Sequence, residues 1–144
     1  EFNCRFGDPE TQPIMLRLES DLVELCLKAC DGKLDEVKSQ WNPKASLGIV
    51  LAAEGYPGDY RKGDEIIGLP QSAVESEKVF LAGVAAKDGK LLTNGGRVLC
   101  VTALGESVFR AQQKALKLAE QIHWNGRFYR RDIGYRAVAR EQQK

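Results

Sequence analysis

Glycine is distributed unevenly along this chain, and that distribution limits the folds open to it. Ten of the 14 glycines fall between Gly48 and Gly105. Between them run short apolar stretches: Leu47 to Ala53, Glu65 to Leu69, Val79 to Ala85, Leu91 to Thr93 and Arg97 to Leu104. Short apolar runs separated by turn residues predict an antiparallel sheet or a small barrel, not long helices. Lys87-Asp88-Gly89-Lys90 has the composition of a two-residue hairpin turn. A helix is predicted beyond the sheet, from about Ser107 to Ile122. Val108, Ala111, Ala115, Leu118 and Ile122 form one apolar stripe at helical spacing, and Ser107 can cap it. The expected class is α+β, a sheet with a helix packed on it.

The beginning of the chain reads differently. Gly7, Pro9 and Pro13 interrupt regular structure over the first 19 residues, after Phe2 alternates with Glu1 and Asn3 as at a strand end. A helix is predicted from Ser20 or Asp21, because Leu22, Leu25, Cys26 and Ala29 recur with helical period. Gly32 is placed to end it. Residues 33–45 are polar, carry Pro43 and read as a connection. No repeat or low-complexity segment appears. The absence of a starting Met points to a segment of a longer protein.

Composition excludes several classes. With 144 residues and 16.0 kDa, a compact fold would expose about 7,400 Å² and bury about two-thirds of the unfolded surface. That is enough for one core without metal or disulfide staples. Lys plus Arg is 21 and Asp plus Glu is 20, so no polyelectrolyte partner is demanded. No apolar run is long enough to span a bilayer. The four cysteines, Cys4, Cys26, Cys30 and Cys100, contain no CxxC pair. They read as reduced, semi-buried thiols of a cytosolic protein. The single histidine, His123, excludes a multi-histidine metal centre within the chain and reads as a helix-end cation. Trp41 and Trp124 read as core or cover residues.

Chemistry-bearing residues concentrate at the start. On a strand, Glu1 and Asn3 would face one side and offer hard oxygen ligands of the kind magnesium takes. Arg5 can clamp a carboxylate or phosphate, and Gly7 permits close backbone approach. Asp8 and Glu10 could hold an ammonium group, with Thr11 and Gln12 adding neutral hydrogen bonds. This describes a site for a small zwitterion or a sugar phosphate beside a metal; it equally describes a surface loop with internal ion pairs. Thr93-Asn94-Gly95-Gly96-Arg97 can nest a phosphate or simply turn the chain. Gly55-Tyr56-Pro57-Gly58 reads as a turn, with Tyr56 packed on the sheet. From Gly126 to Lys144 there are six basic and two acidic residues, with Phe128 and Tyr129 interleaved. That segment supports an alternative reading, a non-catalytic nucleic-acid-binding module.

Read as one motif, residues 1–12 are EFNCRFGDPETQ. This closely resembles the signature of the glycinamide ribonucleotide synthetase (phosphoribosylamine–glycine ligase) family, within the ATP-grasp superfamily. ESDL at Glu19 to Leu22, GYPGDY at Gly55 to Tyr60, TNGGRVL at Thr93 to Leu99 and DIGYRA at Asp132 to Ala137 resemble further family motifs in the same order. The resemblance covers essentially the whole chain.

The resemblance implies a cytoplasmic enzyme of purine biosynthesis that joins glycine to 5-phosphoribosylamine through a glycyl phosphate. ATP is the co-substrate and Mg (or Mn) the metal, with no nucleic acid or membrane involved. Glu1 and Asn3 match the metal ligands, and Arg5 and Asp8 the catalytic positions. Glu10, Thr11 and Gln12 match the glycine side, while Gly95, Gly96 and Arg97 are candidates for the ribose-phosphate side. It further implies that residues 1–43 end an ATP-grasp domain and that 44–144 form the C-terminal domain. The N-terminal part of the enzyme is absent from this chain. Alone, the chain is expected to be catalytically silent, because catalysis needs all the groups positioned together.

Overall fold

A computed structural model describes residues 5–7, 9–72 and 74–143. Their elements in order are α1 (Thr11–Arg17), α2 (Leu22–Cys30), a 3-10 turn (Leu34–Glu36), β1 (Ala45–Ala52), β2 (Glu77–Leu81), β3 (Val84–Lys87), β4 (Lys90–Thr93), β5 (Arg97–Gly105), α3 (Val108–Gln121) and α4 (Tyr135–Glu141). The class is α+β, as the sequence predicts. β5 is the central strand, antiparallel to β1 on one side and β2 on the other. β3 and β4 form a separate hairpin. Its turn is the predicted one: Lys87 pairs with Lys90, and Asp88 and Gly89 both adopt positive φ, 51° and 75°.

Register gives the three-stranded sheet two unlike faces. Leu47 pairs with Ala103, Ile49 with Val101 and Leu51 with Leu99; alternation puts these on one side. They join Ala111, Ala115, Leu118, Ala119 and Ile122 of the α3 region in the buried core. Alanines at three of those positions let the helix come close to the sheet. The approach is tight enough that a Cβ on Gly105 would lie 2.3 Å from the Ala111 nitrogen. The opposite face carries Gly48, Val50, Cys100 and Thr102. α1 lies there, and a Cβ on Gly48 would sit 3.1 Å from Pro13.

The ends of α3 are closed by residues remote in sequence. Ser107 Oγ accepts from Arg110 N–H, as predicted, and the Glu141 carboxylate of α4 accepts from the N–H groups of Val108 (2.7 Å) and Phe109 (3.1 Å). At the other end Arg127 donates to the carbonyls of Ala119 and Ile122. These bonds satisfy main-chain groups that a helix leaves unpaired at its ends.

Several local expectations are corrected. The run Val79 to Ala85 is two strands, broken at Ala82–Gly83 where the chain turns out of the sheet. There the Gly83 and Gly95 backbones meet: a Cβ on Gly83 would be 2.6 Å from the Gly95 Cα. Glu65 to Leu69 forms only isolated bridges, Glu65 to Leu92 and Ile67 to His123. α1 occupies a stretch read as loop; Pro13 falls in its first turn, where the missing N–H costs nothing. α4 begins after Gly134, in the left-handed region at φ 84°.

α2 starts where predicted, with Asp21 accepting from Val23 and Glu24 N–H, and ends before Gly32. Its apolar side is nonetheless exposed. Cys26 and Cys30 are exposed rather than semi-buried, and only Cys100 of the described cysteines is buried. Trp124 is covered, whereas Trp41 is 44% exposed. His123 follows α3, exposed, with its backbone paired to Ile67. No helix of the described residues is long and apolar enough to cross a membrane. The suggested strand end at Phe2 lies outside the described residues, as does Cys4.

Candidate functional site

α1 lies against the face of small residues, and the segment before it crosses the sheet near the start of β5. A hollow of about 180 Å³ opens at that crossing. The N-terminal segment contributes Gly7, Pro9, Thr11 and Gln12; the sheet contributes Val50, Ala82, Arg97 and Leu99. Arg97 therefore meets the strip that carries Thr11 and Gln12, far from it in sequence. The side-chain oxygen of Gln12 is buried and accepts no hydrogen bond. Such an atom costs about 1–3 kcal/mol while it lacks a donor.

The other strip residues are arranged less simply. Arg5 is exposed, and its guanidinium donates to the Phe6 carbonyl at 2.8 Å. Glu10 is turned back, its carboxylate accepting from the Gly7 N–H at 2.5 Å. A Cβ at residue 7 would lie 2.7–2.8 Å from that carboxylate. Gly7 thus has a packing reason besides access for a ligand. Glu1, Asn3 and Asp8 lie outside the described residues. No cluster of three His, Cys, Asp or Glu that could hold a metal occurs among the described residues.

Gly95 and Gly96 do not line the hollow. Gly95 packs on Gly83, and a Cβ on Gly96 would be 2.3 Å from the Tyr56 ring. The Gly96 carbonyl accepts from Ala53 N–H at 2.8 Å, and the Asn94 N–H donates to Gly83 O at 2.7 Å. These contacts fix the turn that delivers Arg97. Arg97 also borders a larger cleft of about 660 Å³, walled by Tyr56, Phe128, Val108, Ile133 and Ala137. Sequence reasoning missed Val50 and Ala82 as lining residues. The signal for Val50 was its alternation with Ile49 and Leu51; Ala82 carried none.

Three arginines of the basic C-terminal segment are engaged within the fold. Arg127 closes α3 and lies 5.0 Å from the Tyr129 ring centre; Arg131 is 5.5 Å from the same ring. Arg131 pairs with Glu120 at 2.7 Å and Arg130 with Asp132 at 2.6 Å. The hydrogen bond from Arg130 holds the Asp132 carboxyl below its ordinary range.

Fold and hollow together define an α+β domain that lays a short polar strip across the open face of a helix-backed sheet. Residues 46–136 match the family model described as phosphoribosylglycinamide synthetase, C domain. The chain belongs to that family. It is 87% identical over its whole length to a phosphoribosylamine–glycine ligase of Haemophilus influenzae and 82% identical over 99% of its length to one of Pasteurella multocida. It covers 34% and 33% of those proteins, so it spans about a third of the curated relatives it matches. The crystal structure of a Thermotoga maritima phosphoribosylamine–glycine ligase superposes with a TM-score of 0.77 at 44% identity, over 92% of this chain and 32% of that one.

Proposed function

We propose that this chain is the C-terminal part of an ATP- and magnesium-dependent ligase that joins glycine to 5-phosphoribosylamine. The products are glycinamide ribonucleotide, ADP and phosphate, within purine biosynthesis in the cytoplasm. The observation that carries the proposal is 87% identity, across every residue of the chain, to a protein named for that reaction. The hollow where Thr11 and Gln12 meet Arg97 supports it, because it offers polar groups and a cation around a space suited to a small zwitterion.

In the proposed reaction ATP phosphorylates the glycine carboxylate. The amine of 5-phosphoribosylamine then attacks the glycyl phosphate, forming the C–N bond and releasing phosphate. Arg5 stabilises the transferring phosphoryl group by charge-assisted hydrogen bonds. Asp8 orients an amine; Glu10, Thr11 and Gln12 bind on the glycine side. Arg97, with Gly95 and Gly96 holding its turn, serves the ribose-phosphate side. Glu1 and Asn3 are the proposed metal ligands. The domain division, 1–43 as the end of an ATP-grasp domain and 44–144 as the C-terminal domain, is supported by the first buried residue, Leu47, and by the family match starting at residue 46. The pairing of Arg127, Arg130 and Arg131 within the fold weighs against the nucleic-acid-binding alternative.

The test is ADP release with glycine, 5-phosphoribosylamine, ATP and magnesium. It is run on the pure chain and again with a separately produced N-terminal remainder of the enzyme. Turnover only in the mixture, lost when glycine is omitted, is the expected result. No turnover in a mixture shown to be folded and associated overturns the proposal.

A further inference from the structure

We infer that the loop Gly55–Tyr60 clamps the turn that carries Arg97, and that Tyr56 and Tyr60 are positioning residues for the ribose-phosphate side of the reaction. The inference rests on the ligase reading above and adds two residues to it. Residues 54–63 are exposed, yet two rings of this stretch are turned back onto backbone far along the chain. A Cβ on Gly96 would lie 2.3 Å from Tyr56 Cδ2, 3.0 Å from its Cε2 and 3.0 Å from Tyr60 Cε1. Both rings therefore rest on the bare backbone of the residue that precedes Arg97. Tyr56 also borders the larger cleft, together with Arg97.

Main-chain bonds tie the loop to this turn at both ends. On entry, Ala53 N–H donates to Gly96 O at 2.8 Å, and Tyr56 N–H donates to Ala53 O at 3.2 Å. On exit, Gly63 N–H donates to Thr93 O at 2.7 Å. Asp64 N–H donates to Thr93 Oγ1 at 3.1 Å, and the buried Thr93 donates its N–H to Asp64 O at 2.9 Å. Between these anchors the loop doubles back so tightly that a Cβ on Gly55, at φ 90°, would be 2.0 Å from Asp59 O. A second grip comes from the Gly83 corner. Asn94 N–H donates to Gly83 O at 2.7 Å, and Gly83 N–H to Arg97 O at 3.0 Å.

A guanidinium recognises a phosphate through two parallel N–H···O bonds, so its direction matters as well as its charge. On a glycine-rich turn that direction is poorly fixed, because glycine leaves the backbone its widest freedom. Two flat rings with few torsions of their own remove that freedom at the residue before Arg97. A misplacement of about 1 Å is enough to cost about 100-fold in rate. The atoms that meet Gly96 are ring carbons, so the rings and not the hydroxyls carry the role.

The experiment uses the complete ligase containing this chain, with Tyr56→Leu, Tyr60→Leu, Tyr56→Phe, Tyr60→Phe, Gly96→Ala and Arg97→Ala. KM and kcat for 5-phosphoribosylamine are measured by ADP release, with KM for ATP and the thermal unfolding midpoint as controls. The Leu variants are expected to raise KM for 5-phosphoribosylamine about tenfold, within the range that misplacement causes, with KM for ATP and the midpoint little changed. The Phe variants are expected to keep wild-type values. Gly96→Ala displaces the rings from the turn while leaving the loop sequence intact, and it gives the same signature should a Leu variant fail to fold. In the Arg97→Ala background Tyr56→Leu adds no further rise, as befits a residue that acts through the arginine. The inference is overturned by an unchanged KM in folded Leu variants and in Gly96→Ala, by a wild-type KM in Arg97→Ala, or by a Tyr56→Leu effect that persists in the Arg97→Ala background. Each of these leaves the ligase reading standing. No ADP release by wild-type enzyme defeats the ligase reading instead. The clamp is then judged by amide exchange at Ala53 and Asn94, whose N–H groups hold the turn; equal rates in the wild type and the Leu variants overturn it.

Discussion

Residues 5–44 and residues 45–134 carry the same kind of sequence pattern and reach opposite outcomes. Both contain a capped helix with an apolar stripe, α2 with its Asp21 cap and α3 with its Ser107 cap. Five residues of α3 are buried, and none of α2. Among the described residues before Ala45 not one is buried. The accessible surface shows the imbalance: 9841 Å², against the roughly 7,400 Å² of a compact chain of this mass. The difference teaches that amphipathicity specifies a need for a partner and not its identity. β1 and β5 stand opposite α3, whereas α2 has beside it only a short 3-10 turn among the described elements and shares a shallow hollow with Leu34, Val37 and Trp41.

The largest expected effect separates the two regions directly. Leu99→Ala removes a side chain that is 1% exposed and should lower the unfolding free energy by about 2–5 kcal/mol. Leu27→Ala, at a position 62% exposed, should change it by no more than about 0.5 kcal/mol. Urea unfolding of the isolated chain measures both. Equal losses would break the contrast and show that α2 belongs to the same cooperative unit.

A smaller effect compares the caps. Ser107→Ala should cost about 1 kcal/mol of global stability. Asp21→Ala removes the same type of bond but should leave the cooperative midpoint unchanged. Its loss should appear instead as faster amide exchange within Leu22–Cys30, as expected for a helix that opens locally.

The mildest probe is chemical. Burial raises the Cys100 thiol above its ordinary pKa, so at neutral pH it stays protonated and covered. Cys26 and Cys30 are exposed. Brief alkylation of the native chain, followed by peptide mapping, should label those two and spare Cys100 until denaturant is added. Early labelling of Cys100 would mean that the open face of the sheet is breached more readily than its packing implies.

Much of the sheet was legible because its signals are local. Asp88-Gly89 permits the positive φ values that its hairpin needs, and the apolar stripe of α3 needs only its own sequence to be seen. The break at Ala82–Gly83 was not legible, because it is imposed by a backbone, at Gly95, that is distant in sequence. α1 was hidden by Pro13, which reads as a breaker unless it is known to sit in a first turn. The candidate site divides in the same way. Thr11 and Gln12 were found from a contiguous motif, and Val50 and Ala82 became visible only across the hollow.

By itself, the sequence determined the family, through its ordered motifs, and the elements whose propensities and periods are short-range. It determined that α2 and α3 each present an apolar side. Only the tertiary structure decided which of those sides is covered, that Glu10 turns back onto Gly7, and that Arg97 meets Thr11 and Gln12. Propensity acts over a few residues and can be read along the chain. Proximity between distant residues depends on strand register and on the closeness of two backbones, which exist only once the sheet has formed.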